Sequence, residues 1–261
     1  MLRFAFIFCF QMVSLSQFSN AFRDASLSLF YPQGCSICGE SVETSEEGAV
    51  CDECWNKTRL FDGSETICYR CGALLETGRT NREIAERIFC RRCDESFFDA
   101  ARATGVYEGA LRAAVLSLKR EPFVSEKLKD LFFAAFERPP LNEATKIVPV
   151  PLHPKRERER GFNQAAVLAK ILGGKSGLPV LENCLVRVAH TNRHRAGMDE
   201  KARRESVEKS FAVKNKRLIE SEKLLLVDDV FTTGATVSTC AQILKENGAG
   251  EVFVLTIARA V

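Results

Sequence analysis

The sequence predicts an α/β domain built on a parallel sheet, preceded by a small zinc-ribbon domain. Three observations carry this. "KLLLVDD", Lys223 to Asp229, holds an unbroken apolar run, too apolar for a half-exposed strand and suited to the middle of a sheet covered on both faces. From Phe97 onward, strand and helix signals alternate, the pattern of a parallel α/β sheet. Before residue 94, eight of the eleven cysteines form four Cys-x-x-Cys pairs, a spacing suited to tetrahedral zinc.

The bulk numbers agree with a globular chain. Of 261 residues, 46% are apolar and 27% charged, which excludes disorder as the default. The net charge of +3 says little, but its distribution says more. From Glu40 to Glu53 every charged side chain is acidic, whereas Arg187 to Arg217 is locally basic. A local basic stretch suits an anionic partner, and equally a solvated face. The expected division is an N-terminal apolar or amphipathic segment at 1–30, a double zinc ribbon at 31–95 and the α/β domain at 96–261.

At the N-terminus, Arg3, the apolar run Phe4 to Phe10 and small residues near Ala21 fit three readings. They are a secretory signal, an amphipathic helix leading into the domain, or an upstream extension with Met12 as the start. The run is far short of the ~20 apolar residues that span a bilayer, so stable membrane insertion is not expected. The chemistry downstream is that of a cytoplasmic protein.

The four pairs are Cys35/Cys38, Cys51/Cys54, Cys68/Cys71 and Cys90/Cys93. Two structural zinc ions are expected. The economical scheme puts Cys35, Cys38, Cys51 and Cys54 on one ion and the remaining four on the other; crossed pairing stays open. A disulfide framework is the competing reading if the N-terminus is a signal. A polar segment of ~60 residues has too little core to fold alone, so metal binding would supply the folding free energy. Cys9, Cys184 and Cys240 stand alone, and Cys240 falls in an apolar helical pattern as a small buried hydrophobe.

In the second domain "ATGVY" (Ala103 to Tyr107) reads as a short strand, followed by helices over Ala110 to Leu118 and Leu128 to Phe136. Pro139-Pro140 ends the latter. "KIVPVP", Lys146 to Pro151, is a strand broken by prolines. A loop then leads to a helix over Phe162 to Leu172, stopped by Gly173-Gly174. After the strand ending at Asp229 come a helix over Ala235 to Glu246, a stop at Asn247-Gly248, and a last strand, "EVFVLTIA".

Ligands of open α/β sheets sit beyond the carboxyl ends of the strands, where Asp228 and Asp229 lie. Thr232, Thr233, Gly234, Ala235 and Thr236 then enter a helix whose free N–H groups and dipole favour an anion. Small side chains allow close approach and threonine hydroxyls add donors, which describes a phosphate cup. Two carboxylates beside it would repel a bare phosphate, yet they suit the hydroxyls of a phosphorylated polyol. A ribose 5-phosphate compound fits. A Thr-capped helix alone explains one threonine, not the whole set.

"VDDVFTTGAT", Val227 to Thr236, resembles the phosphoribosyl-pyrophosphate (PRPP) motif of type I phosphoribosyltransferases. "VPVPLHPKRERERGFNQAAVLA", Val148 to Ala169, resembles the ComF family of competence-associated, phosphoribosyltransferase-like proteins. "YEGALRAAVLSLK", "LFYPQGCSICG" and the cysteine-rich N-terminal region look like it too. The resemblance runs from about Leu29 to the C-terminus. It implies a type I phosphoribosyltransferase fold, PRPP with Mg²⁺, and an association with DNA uptake.

On that implication Asp228 and Asp229 face the ribosyl cation of the transition state, and Lys155, Arg156 and Arg160 hold the leaving pyrophosphate. Arg187 to Phe211 stands at the family's lid, where Arg195, Met198, Arg203 and Ser206 depart from the usual pattern. Nothing in the sequence looks like a base-binding hood, so the acceptor is open. A non-enzymatic role in binding single-stranded DNA, with competence-machinery proteins as partners, is the second expectation.

Overall fold

The computed structural model describes residues 34–42, 48–75, 88–188 and 210–261. The segments at 1–30 and 193–204 therefore lie outside the described residues, and so do the lid positions Arg195, Met198, Arg203 and Ser206. The elements are α1 (Asp52–Asn56), β1 (Ala100–Val106), α2 (Gly109–Leu118), α3 (Glu126–Phe136), β2 (Lys146–Pro149), α4 (Pro154–Arg160) and α5 (Gln164–Ser176), then β3 (Leu185–Arg187), β4 (Phe211–Val213), β5 (Leu224–Phe231), α6 (Ala235–Glu246) and β6 (Val252–Arg259). Among the described residues no helix is long and apolar enough to cross a membrane.

Four strands form one parallel sheet in the order β1-β6-β5-β2; β3 and β4 make a separate antiparallel pair. The central strands β5 and β6 are buried as their composition requires: Leu224 to Val227 are fully covered, and every residue of β6 is buried. Helices close both faces, with Leu111, Leu128, Phe132, Leu168 and Leu172 on one side and Val237, Cys240 and Leu244 on the other. Cys240 is the small core residue expected.

Three expectations need correction. The short strand at Ala103 begins earlier, at Ala100, because the ribbon supplies backbone partners to its open edge: Ala101 N donates to Arg70 O, and Phe61 N to Thr104 O. The loop after Pro151 is instead the helix α4, started by His153 Nδ1 accepting from Lys155 N and closed by Gly161 at φ 82°. Gly173-Gly174 does not stop α5, which runs on to Ser176 and ends at left-handed Gly177. Gly173 is there for contact, since a Cβ would come within 2.5 Å of Val180 Cγ2 and 3.1 Å of Leu178 O.

The cysteine-rich segment packs onto the sheet domain. Cys35, Val42, Val50, Cys54 and Trp55 share a core with Leu111, Val115 and Leu128. Thr58 Oγ1 accepts from Ala110 N at 2.8 Å, so a ribbon hydroxyl caps the first turn of α2. That helix leads directly into Lys119, a residue of the candidate site.

Candidate functional site

The cysteines come together as two quartets: Cys35, Cys38, Cys51 and Cys54, and Cys68, Cys71, Cys90 and Cys93, each with ligand atoms within 4.8 Å of one another. The closest Sγ–Sγ pairs are 3.4 to 3.6 Å apart. Four thiolates at the usual Zn–S distance lie about 3.8 Å apart on a tetrahedron, so both quartets fit zinc. Gly39 and Gly72 follow their knuckles in left-handed conformation, and at Gly72 a Cβ would strike Ala101 O at 2.6 Å. Amides point at sulfur, Cys51 N on Cys35 Sγ at 3.4 Å and Cys90 N on Cys68 Sγ at 3.2 Å. Burial opposes the Cys35 thiolate, but the N–H groups of Cys38, Cys51 and Ile37 carry it down to about 6. The Cys71 thiol, with the N–H groups of Cys71 and Cys90, takes Cys68 down to about 4 against its burial. In each cage one thiolate is favoured, while burial and the neighbouring sulfurs push the Cys54 and Cys93 thiols up to about 12.

At the carboxyl end of β5, Asp228 and Asp229 are half-buried. Asp228 Oδ1 accepts from Asp229 N at 2.9 Å. Burial, and then the neighbouring Asp229 charge, raise the Asp228 carboxyl to about 7, against the pull of that hydrogen bond and of Lys119. Lys119 Nζ lies 3.3 Å from Asp229 Oδ2. Its position just past α2 makes it the cation of the site, and only its place at the end of the Tyr107–Lys119 block hinted at this in the sequence.

Beyond Phe231 the chain turns through exposed Thr232 and Thr233 to Gly234, whose φ of 79° closes the loop before α6. A Cβ on Gly234 would lie 2.6 Å from Phe231 Cζ, so neither its conformation nor its space admits a side chain. Thr233 Oγ1 accepts from Ala235 N at 3.4 Å, and Ala235 and Thr236 stand exposed on the first turn. The first amides of α6 have no intrahelical acceptor and sit at the positive end of its dipole. Lys155 and Arg156 are exposed on α4 and Arg160 is half-buried. This helix follows β2, the sheet neighbour of β5, and Asn163 Nδ2 ties its exit to Val150 O at 3.0 Å. Among the described residues, the cation paired with Asp229 is Lys119, not one of these three.

This arrangement defines a class: a double zinc ribbon followed by a parallel α/β domain with paired aspartates and a threonine-rich loop at the end of a central strand. The family model for a double zinc ribbon domain matches residues 26–94. Over most of its length the chain is similar to curated competence proteins. It is 28% identical over 240 residues to competence protein F of Haemophilus influenzae, covering 88% of this chain and 99% of that one. To competence protein ComFC of Bacillus subtilis it is 29% identical over 226 residues, covering 80% and 90%. Among solved structures, the B. subtilis glutamine PRPP amidotransferase matches at a TM-score of 0.36 and 21% identity, over 49% of this chain and 25% of that one. The chain thus spans about a quarter of that larger enzyme.

Proposed function

We propose that this chain binds PRPP, or another ribose 5-phosphate compound, at the carboxyl end of β5 and acts in DNA uptake during competence, in the cytoplasm. The observation that carries the reading is the continuous run from paired carboxylates through left-handed Gly234 to the bare first turn of α6. The loop amides and the hydroxyls of Thr232, Thr233 and Thr236 hold the 5-phosphate, and Asp228 and Asp229 accept from the ribose hydroxyls. Mg²⁺ arriving with PRPP would lie near Asp228 and Asp229 and would supply Lewis acidity. Transfer breaks the bond from the anomeric carbon to pyrophosphate and forms one to a nucleophilic acceptor; the carboxylates face the cationic ribosyl group while Lys155, Arg156 and Arg160 neutralise the leaving group. The proposed division is an N-terminal apolar or amphipathic segment at 1–30, ribbons at 31–95 and a phosphoribosyltransferase-like domain at 96–261.

Thermal unfolding in Mg²⁺ tests it. PRPP at a hundredfold excess over its dissociation constant should add about 2.7 kcal/mol of stability. No shift at millimolar PRPP counts against the site.

Exposed Lys155, Arg156 and Arg158 on α4 support a second reading, in which single-stranded DNA lies along this basic helix. Its binding would weaken steeply with salt, through counterion release, and compete with PRPP. DNA affinity untouched by saturating PRPP would place the nucleic-acid surface elsewhere.

A further inference from the structure

Arg259 ends β6 only 8% exposed, and among the described residues no carboxylate pairs with it. Its partners lie on two sides. Toward the second ribbon, Nη1 donates to Cys71 O, and Nη2 lies 3.8 Å from Cys71 Sγ. Toward the phosphate loop, the guanidinium stacks on the Phe231 ring at 4.5 Å from its centroid. That ring fills the space beside Gly234 that a Cβ would need. The backbones are joined as well, Ala260 N donating to Phe231 O at 2.9 Å. Cys71, Cys93, Phe231, Thr232, Thr233 and Arg259 all line one cleft of about 470 Å³.

We propose that Arg259 is a positioning residue that couples the second zinc knuckle to the phosphate loop, so that an intact knuckle holds the loop in its anion-binding shape. The inference rests on reading Thr232 to Thr236 as that loop. A buried guanidinium needs fixed acceptors and compensating negative charge. Four thiolates around one divalent ion supply both, since the cage carries net negative charge and pins the Cys71 carbonyl. With the cage intact, Arg259 is held over the Phe231 ring, and Phe231 in turn fixes the turn at Gly234. With the cage lost, Arg259 has no anchor, and the packing beside Gly234 loosens. Coupling between two sites is reciprocal, so Arg259 also protects the knuckle's ion.

Hydrogen exchange on the ligand-free full chain tests this without requiring PRPP to bind. In zinc-loaded R259Q, amides of 232–237 should exchange at least tenfold faster than in wild type, and the second ribbon should lose zinc to a chelator at least tenfold faster. Cys90→Ser, which empties the second ribbon, should reproduce the loop effect, whereas Cys38→Ser in the first should not. R259K, which keeps the charge, should recover part of the protection. Unchanged loop exchange in R259Q, or equal effects from the two ribbon variants, would overturn the coupling. PRPP titrations separate this from the functional reading. Wild type that fails to bind PRPP sinks that reading, while the exchange data still decide the coupling. Wild type and R259Q binding PRPP equally well would overturn the coupling alone.

Discussion

Asp228 is a residue whose stability cost follows from its place. Its carboxyl is raised to about 7, by burial first and by Asp229 second, from an ordinary value of 3.8. Between those values the folded chain holds the proton more tightly than the unfolded one, so the stabilising contribution is present at low pH and lost as pH climbs through this window. Asp228→Asn cannot ionise. The ligand-free variant should therefore melt close to wild type near pH 4 and higher than wild type at pH 8, by an amount on the order of 5 °C. Equal melting temperatures at both pH values would contradict the burial account. At Gly234, valine should destabilise the fold by about 1–3 kcal/mol, through a left-handed φ and the Phe231 ring, and should also abolish the PRPP shift. Denaturant unfolding with and without PRPP separates the two effects. Asp228, Asp229 and the threonine loop were legible because their chemistry is local in sequence. Lys119 was not, because its nearness to Asp229 exists only once α2 packs against the sheet.

At the scale of elements, the long apolar runs of β5 and β6 announced themselves, since burial on both faces leaves no polar alternation. The helix α4 did not. Seven residues, nearly all charged and none buried, show no apolar stripe, and its boundaries come from His153 and Gly161 instead. The two glycines of α5 misled for a related reason: a glycine that ends a helix and one that admits a neighbour look alike in sequence. They now make a paired prediction. Gly174 is exposed, and a methyl added there would meet nothing within 4 Å, so G174A should stabilise by about 0.5–1 kcal/mol through helix propensity. G173A gains the same propensity but drives a methyl into Val180 and Leu178 O, and should destabilise by about 1–3 kcal/mol. Chemical denaturation of both variants checks the sign of each. Matching signs would mean that α5 does not sit against Val180 as described.

Across the whole molecule, the ribbons and the sheet domain behave as one packed body rather than beads on a string. Cysteine spacing favoured the two quartets without excluding crossed pairing, and gave no sign that Trp55 and Cys54 share a core with α2 and α3, or that ribbon residues complete the edge of β1. Those contacts are long-range and leave no local trace. Zinc chelation should consequently lower the melting temperature of the α/β domain as well as unfold the ribbons; circular dichroism at 222 nm would show helix melting earlier in the stripped protein. An unchanged helix transition would mean that the ribbons fold apart from the sheet. Each ribbon also reaches the site, the first through Thr58 capping the helix that precedes Lys119, the second through Arg259 on Phe231. The central claim remains the sugar-phosphate site at the end of β5, and calorimetric titration of PRPP with Mg²⁺ into the zinc-loaded full chain tests it most directly. Wild type should bind one equivalent, and the D228N/D229N double variant should bind at least tenfold more weakly while remaining folded. No binding heat in wild type, or equal affinity in the double variant, would contradict the account.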